Sequence, residues 1–406
     1  MKTRTDSGLF TTLLGAITAL SALSIDMSLP TLPAMTSSLS AGGAAAQWTI
    51  SLFVLGFAGG QLFLGPLSDR VGRRPVLLCG LSAYVATGVG CALAPSIGVL
   101  VSMRFLQGLS ACAGAVIARA IIRDVFDRPS AAAKQSMMTV VTTLAMLLAP
   151  ILGAWVLGFT GWRGVFALLP IVGSIILVLA LTIIPETCPE MTGQRAGALR
   201  SYLLVLREPI TVGNAFVAAF VFAGLFVFIA DSSTVFIKTL GITPQGFSLM
   251  FAIVAFGQLC GSSLNRVLAT RISPSRLIRV GGGLTVLATA LIALFAVVSV
   301  NVYALLLAVS LYAFALGMTN PNAIAAAMVP LPQYAGAASA VIGFLYFVMG
   351  SIGASLSGYV LPGTVQGMLG IIASFGTAAI IVLVVLEVYH AKQAKMRDCA
   401  NQAQDG

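Results

Sequence analysis

Two ionisable residues stand inside long apolar runs of the sequence, Asp26 in residues 9–29 and Arg104 in residues 97–118. A charge within a membrane-spanning segment costs on the order of 2.5–3.5 kcal/mol, so such a residue faces a cavity or finds a partner. At 1.5 Å of rise per helical residue the depths of the two differ by roughly 6 Å, within reach of an arginine side chain or one water. Burial and a nearby guanidinium act in opposite directions on a carboxyl group, so Asp26 is expected to exchange a proton near neutral pH. A static ion pair that fixes helix register is the alternative.

Membrane-spanning helices are the elements that must position these residues. Of the 406 residues 58% are hydrophobic and 8% are charged, against roughly 25% charged residues in an ordinary soluble domain. This composition excludes a soluble globular protein and predicts an all-α membrane protein with twelve transmembrane helices. The predicted spans are residues 9–29, 48–66, 76–94, 97–118, 136–158, 164–184, 210–230, 246–264, 277–297, 301–320, 335–360 and 364–387.

The basic residues set the expected orientation. All but three of the 22 Lys and Arg residues, namely Arg104, Arg163 and Lys238, fall on the side of the membrane that holds both predicted termini. Because basic loops remain in the cytoplasm, we expect both termini to be cytoplasmic. The net charge of +10 is then explained by topology and anionic lipid, and no nucleic-acid partner is expected.

A polar stretch divides the chain into two similar halves. Residues 185–209 separate spans six and seven, and Gly60-Gln61-Leu62 recurs as Gly257-Gln258-Leu259 at the same junction of the second half. This internal repeat predicts two pseudo-symmetric six-helix bundles. The expected units are an N-terminal bundle of residues 1–184, a cytoplasmic linker of residues 185–209, a C-terminal bundle of residues 210–387 and a cytoplasmic tail of residues 388–406.

The turn between spans two and three carries the most specific motif. From Gly65 to Pro75 it places one Asp among three Arg residues in a tight break, where a loop that only anchors topology would need basic residues alone. The segment resembles the GxLxDRxGRRxxL signature of the major facilitator superfamily. The resemblance implies a transporter in which Asp69 contacts the start of span eleven and holds the outward-open state. The residues of this turn expected to control conformation are Gly65, Asp69, Arg70, Gly72, Arg73 and Arg74.

Further segments resemble narrower elements of the superfamily. Arg104 and Gln107 stand in an RxxQG element of span four, and Pro150 and Gly153 stand in a variant of the antiporter element GPxxGG in which alanine replaces two glycines. The segment from Asp26 to Pro33 resembles DMYLPALP of the bicyclomycin and chloramphenicol resistance type (Bcr/CflA). The resemblance implies a drug:proton antiporter with Asp26 and Arg104 in proton coupling, and with Pro150 and Gly153 among the gating residues.

The same resemblance implies the location and partners of the protein. We expect a multi-pass protein of the inner (plasma) membrane that handles a small-molecule substrate and protons in the lipid bilayer. No cofactor is expected besides the proton as coupling ion, and the expected state is a monomer. The six cysteines show no paired spacing, so they are interpreted as small apolar residues.

The second half contributes apolar and aromatic surface instead of internal charge. Asp231, at the outer end of span seven, is expected to be an interfacial carboxylate. An aromatic wall facing one acidic site suits lipophilic, often cationic molecules. A metabolite such as a nucleoside or sugar is the alternative substrate, while a membrane-embedded enzyme is disfavoured by the single histidine and the lack of HExxH or GxSxG. The expected cavity residues are Asp26, Arg104, Gln107, Phe226, Asn320 and Tyr346.

Overall fold

The computed structural model describes residues 8–188, 198–298 and 301–402. Within these ranges the chain forms helices joined by short turns, without a strand, as the all-α prediction requires. The described α-helices are α1 (Gly8–Asp26), α2 (Leu32–Ser38), α3 (Gly43–Val71), α4 (Arg73–Ala92), α5 (Ile97–Val125), α6 (Arg128–Ile183), α7 (Ala198–Leu206), α8 (Pro209–Ser233), α9 (Pro244–Leu268), α10 (Pro274–Val297), α11 (Val302–Met328), α12 (Ala335–Ser357) and α13 (Val365–Gln402). Short 3-10 turns cover Leu29–Thr31 and Pro332–Tyr334, and a π-helical turn covers Thr234–Thr239.

The described helices account for the predicted membrane crossings. Eleven helical segments are long and apolar enough to span a bilayer. One of them, Ala133–Ile183 within α6, is broken at Gly161, where φ is +70° and the backbone is not helical. Each side of this break is long enough for a crossing of about 20 residues. Twelve crossings result, which confirms the predicted fold class.

Local sequence determines where several helices begin and end. Pro209, Pro244 and Pro274 each occupy the first turn of a helix, where the missing N–H has no intrahelical partner to lose. Between α3 and α4, Gly72 adopts a φ of +111°, a value that side chains with a Cβ disfavour. The turn that carries the signature motif is therefore sharp.

Several predicted helix ends differ from the structure, and helix continues into parts of the chain that were predicted as linker and tail. Helix α1 ends at Asp26, before the predicted residue 29, because prolines at 30 and 33 remove backbone donors and favour short separate turns. The expected linker contains helix α7, while residues 189–197 lie outside the described residues. The expected tail begins as a continuation of helix α13, which extends to Gln402.

Equivalent helices make equivalent contacts in the two halves. Helix α3 packs on α5 as α9 packs on α11, and α4 packs on α5 as α10 packs on α11. The first helix of each half, α1 or α8, packs on the fifth span, which is the first part of α6 or α12. Close approach depends on glycine at matched positions, because a Cβ on Gly108 or Gly317 would overlap a backbone carbonyl of the neighbouring helix. These matched contacts form two pseudo-symmetric bundles.

The halves meet at one end of the molecule and separate at the other. We call the end that carries Arg70, Arg73 and Arg74 the basic end, and the opposite end the far end. The halves touch through α3 against α12 and through α6 against α9. Towards the basic end, α3 and α12 diverge and line a cavity of about 930 Å³.

Candidate functional site

A second cavity, of about 250 Å³, lies between the two halves and contains Asp26. The carboxylate is at the last residue of α1, where the helix gives way to a turn, and its residue is 4% exposed. Side chains of the first half on the cavity wall include Ser21, Val54 and Phe57. Among the described cavity-lining residues Asp26 is the one with a charge. The site therefore combines one proton acceptor with a largely apolar wall.

Aromatic side chains of the second half line the opposite side of this cavity. Phe226 and Tyr346 both line the cavity with Asp26. The Tyr346 ring stacks on Phe222 with centroids 3.8 Å apart. Asn320 stands behind this wall and donates a hydrogen bond from Nδ2 to the Tyr346 hydroxyl at 3.0 Å. Flat apolar surfaces of this kind accept hydrophobic molecules without selecting one shape.

Arg104 is fully buried, but it does not pair with Asp26 in the structure. Its Nε donates to the Thr49 carbonyl at 3.2 Å and its Nη1 donates to Gln107 Oε1 at 3.0 Å. The guanidinium also lies over the Phe53 ring, 4.4 Å from the centroid. The predicted contact between Asp26 and Arg104 is thus wrong for this conformation, because the backbone carbonyl, the amide and the ring hold the guanidinium inside the first bundle.

Arg104 and Gln107 also lie outside the lining of the Asp26 cavity. Each retains one buried donor without a hydrogen-bond partner, Nη2 of Arg104 and Nε2 of Gln107. Unpaired buried donors are costly. The pair therefore has capacity for an acceptor that this conformation does not supply.

Gly153 brings span five against the backbone beside Asp26. A Cβ at this position would overlap the carbonyl oxygen of Met27. One turn earlier on α6, the Pro150 carbonyl accepts a hydrogen bond from Ser248 Oγ of the second half at 2.9 Å. The two residues of the predicted antiporter element therefore contact both the carboxylate-bearing segment and the opposite bundle.

The signature turn is held together by ionic contacts at the basic end. Arg73 forms an ion pair with Asp69 and a second with Asp124, whose Oδ2 is 2.9 Å from Arg73 Nε. Asp69, Arg70 and Gly65 line the large cavity, whose opposite wall is the first turn of α12. Asp69 thus faces the start of span eleven across the cavity.

Glu186 caps the first turn of α4. Its carboxylate accepts hydrogen bonds from the backbone N–H groups of Arg73 and Arg74 at 2.9 and 3.1 Å, and from those of Thr187 and Cys188. Partial burial raises the pKa of Glu186, but these four amides outweigh it and leave the pKa below its ordinary value. Gly72 is needed here, since a Cβ would lie 2.6 Å from Glu186 Oε2.

A hydrogen bond joins the linker helix α7 to α3. Pro66 lies inside α3 and has no N–H to donate to the carbonyl four residues earlier, that of Leu62. The Tyr202 hydroxyl of α7 donates to this carbonyl at 2.8 Å. The proline in the sequence pointed to an open acceptor, but nothing in the sequence identified Tyr202 as the donor.

Asp231 is buried, which corrects the expected interfacial position. It is 1% exposed, and its Oδ1 accepts a hydrogen bond from Gln47 Nε2 of the first half at 2.8 Å. The sequence prediction failed because helix α8 extends past the predicted end of span seven, so Asp231 stays within the packed interface. Gln47 was not predicted, since it lies just before the predicted start of span two.

Comparison with known proteins matches residues 14–354 to the family described as Major Facilitator Superfamily. A bicyclomycin resistance protein homolog of Haemophilus influenzae is 29% identical over 384 residues, 94% of this chain and 95% of that protein. A chloramphenicol resistance protein of Pseudomonas aeruginosa is 32% identical over 288 residues, 70% of this chain and 67% of that protein. The crystal structure of the nucleoside transporter NupG has a TM-score of 0.74 at 14% identity, covering 92% of this chain and 99% of that one. At this identity the structural likeness establishes the fold alone.

Proposed function

Because the chain belongs to the major facilitator superfamily of membrane transporters, we propose that it exports hydrophobic, drug-like compounds in exchange for protons. The observation that carries the proposal is the cavity between the bundles, in which Asp26 faces an aromatic wall that includes Phe226 and Tyr346. The names of the bicyclomycin and chloramphenicol resistance relatives support the same substrate class.

Proton coupling is assigned to Asp26, with Arg104 as its partner. A protonated Asp26 leaves a neutral cavity, while an ionised one attracts a cation or requires a compensating donor. Arg104 Nη2 and Gln107 Nε2 are buried donors that make no hydrogen bond in this conformation. We assign to them the role of receiving the Asp26 carboxylate in a second conformation, so that substrate binding and proton binding exclude each other.

Alternating access is assigned to rocking of the two bundles. Alternating access requires one state that is open at the basic end and another that is open at the far end. The far-end contacts and the cavity at the basic end correspond to the first of these states. Breaking the far-end contacts and closing the large cavity would bring Asp69 towards the start of α12. The residues proposed to control this exchange are Gly65, Asp69, Arg70, Gly72, Arg73, Arg74, Pro150 and Gly153.

The protein is assigned to the inner membrane as a monomer with both termini in the cytoplasm. The distribution of basic residues supports this orientation. The basic end is then cytoplasmic, and the structure corresponds to a state whose large cavity opens inward.

A panel of substrates in proteoliposomes with an imposed pH gradient tests the function. We expect hydrophobic drugs to accumulate against their concentration gradient in the more acidic compartment, because protons leave that compartment in exchange. Addition of drug should also stimulate proton release. Nucleoside or sugar flux that does not depend on the gradient, with no drug transport, would contradict the proposal.

A further inference from the structure

The contact between Gln47 and Asp231 joins the two bundles at the far end. Gln47 lies in the second turn of α3, in the first half, and Asp231 lies near the end of α8, in the second half. Each residue is 1% exposed. Any opening of the far end must separate these two side chains, because they belong to bundles that move apart.

The hydrogen bonding of this pair is incomplete. Gln47 Nε2 donates to Asp231 Oδ1 at 2.8 Å. The other oxygen of each group, Gln47 Oε1 and Asp231 Oδ2, is buried and has no hydrogen-bond partner. Both of these atoms are acceptors when the carboxyl group is ionised, so neither can satisfy the other.

We propose that Asp231 is a second proton-binding site, and that its proton closes the far end by completing the hydrogen bonds with Gln47. A carboxylic acid and a primary amide can form two reciprocal hydrogen bonds, N–H to carbonyl and O–H to amide oxygen. One proton on Oδ2 therefore supplies the missing donor for both unsatisfied oxygens. This inference rests on the proposed proton-coupled exchange, to which it adds a site that controls the gate.

The surroundings of Asp231 contain few groups that could compete for this role. Ser232 and Ser233 follow it on α8, and their hydroxyls make no hydrogen bond in the structure. Lys238, on the adjoining π-helical turn, donates to Thr36 at 3.2 Å. Asp26 lines the cavity together with Phe228 of α8, one turn before Asp231, and the Tyr359 ring lies against Trp48 beside Gln47. The other titratable side chains away from the basic end, on the described helices packed against α8, are Tyr303, Tyr312 and Tyr346. The charged residues of α3, α7 and α13 lie towards the basic end.

The sign of the expected pH effect follows from linkage. If the closed far end binds one proton more than the open far end, acid favours closure, and the ratio of closed to open molecules changes by up to about tenfold per pH unit. With the proposed orientation, the proton arrives from outside the cell and closes the outer gate behind it. Opening then requires loss of this proton.

The experiment measures the separation of the bundles directly and without substrate. Spin labels are placed at the exposed positions Ser37 and Gln245, in a variant whose six native cysteines are serine. Distances are recorded by pulsed electron resonance from about pH 5.5 to about pH 8.5, at constant sodium concentration. We expect the short distance to dominate in acid and the long distance to grow with rising pH.

Substitutions identify the proton-binding group. Asp231→Asn places an amide opposite the Gln47 amide, which supplies both hydrogen bonds, so the short distance should persist at every pH. Gln47→Leu should favour the long distance throughout. Glu387→Gln, at an exposed position of α13 towards the basic end, is the control and should keep the pH dependence of the wild type.

Three results would overturn the assignment. A wild-type distance that does not change with pH, a pH response that persists in a well-folded Asp231→Asn, or a response that follows sodium at fixed pH would each exclude a proton on Asp231. Failure of drug transport in vesicles would instead contradict the proposed function, because the distance measurement contains no drug.

Discussion

At the scale of single residues, two buried charges have different surroundings. Asp26 faces the cavity between the bundles, whereas Arg104 is held by a carbonyl, an amide oxygen and an aromatic ring within one bundle. The planar guanidinium makes these three contacts at once, in a geometry that an ammonium group cannot reproduce. These three contacts therefore stabilise the buried charge of Arg104 within the membrane-spanning region.

Arg104→Lys tests this dependence on shape. The ammonium keeps the charge but loses the fork that reaches Thr49 and Gln107, so we expect lower stability by about 2 kcal/mol and reduced transport. Thermal unfolding in detergent and vesicle transport measure the two effects. Arg163→Lys is the matched control, because Arg163 bonds the Ala94 carbonyl and lies over Trp162 near a helix end. Equal effects of the two substitutions would refute a special role for the Arg104 geometry.

Glu186→Gln tests the helix cap at neutral and acidic pH. Since the pKa of Glu186 is below its ordinary value of 4.5, the ionised group stabilises the fold above that value, and the stabilisation is lost as pH falls through the folded pKa. We expect the substitution to cost about 1 kcal/mol at neutral pH and progressively less in acid. Glu387→Gln, at an exposed position, is the control. A deficit that does not change with pH would contradict the cap.

At the scale of elements, close helix contacts place the carboxylate. The first part of α6 approaches the chain just after α1 so closely that only glycine fits at Gly153. The same helix carries Pro150, whose carbonyl is bonded to α9 of the other bundle. Movement of this helix is therefore coupled both to the position of Asp26 and to the contact between the bundles.

Gly153→Ala should displace the segment that follows Asp26. The added methyl group overlaps the Met27 carbonyl, so we expect a loss of stability of about 1–3 kcal/mol and a larger loss of transport than of folded protein. Gly158→Ala on the same helix has open space around the new Cβ and should be nearly neutral. Wild-type transport by Gly153→Ala would show that this approach is not needed.

At the scale of the whole molecule, the sequence predicted the fold more completely than the site. Apolar length determines the number of spans, and small residues at matched positions allow the two bundles to pack alike, so the all-α architecture followed from composition and repeat. The contact between Asp26 and Arg104 did not follow, because depth along two helices says nothing about which way each side chain points. The prediction for Asp231 was wrong for a similar reason. Hydropathy shows where a run of apolar residues ends, but it does not show how far the helix continues to pack against its neighbours.

Thiol labelling tests the proposed orientation of the whole chain. Cys188 lies at the basic end beside the signature turn, and its thiol contacts the Asp69 carbonyl oxygen at 3.8 Å. If the basic end is cytoplasmic, an impermeant thiol reagent added outside intact cells should leave Cys188 unmodified, while permeabilised cells should be labelled. Rapid labelling of Cys188 in intact cells would reverse the orientation.

Proton release on substrate binding tests the central claim most directly. Purified protein in weakly buffered detergent solution is mixed with a hydrophobic drug, and the released protons are counted with a pH indicator. We predict release from the wild type and none from Asp26→Asn, because the amide cannot lose a proton while the cavity wall is unchanged. Equal release from Asp26→Asn and the wild type would contradict the account, since the exchanged proton would then reside on another group.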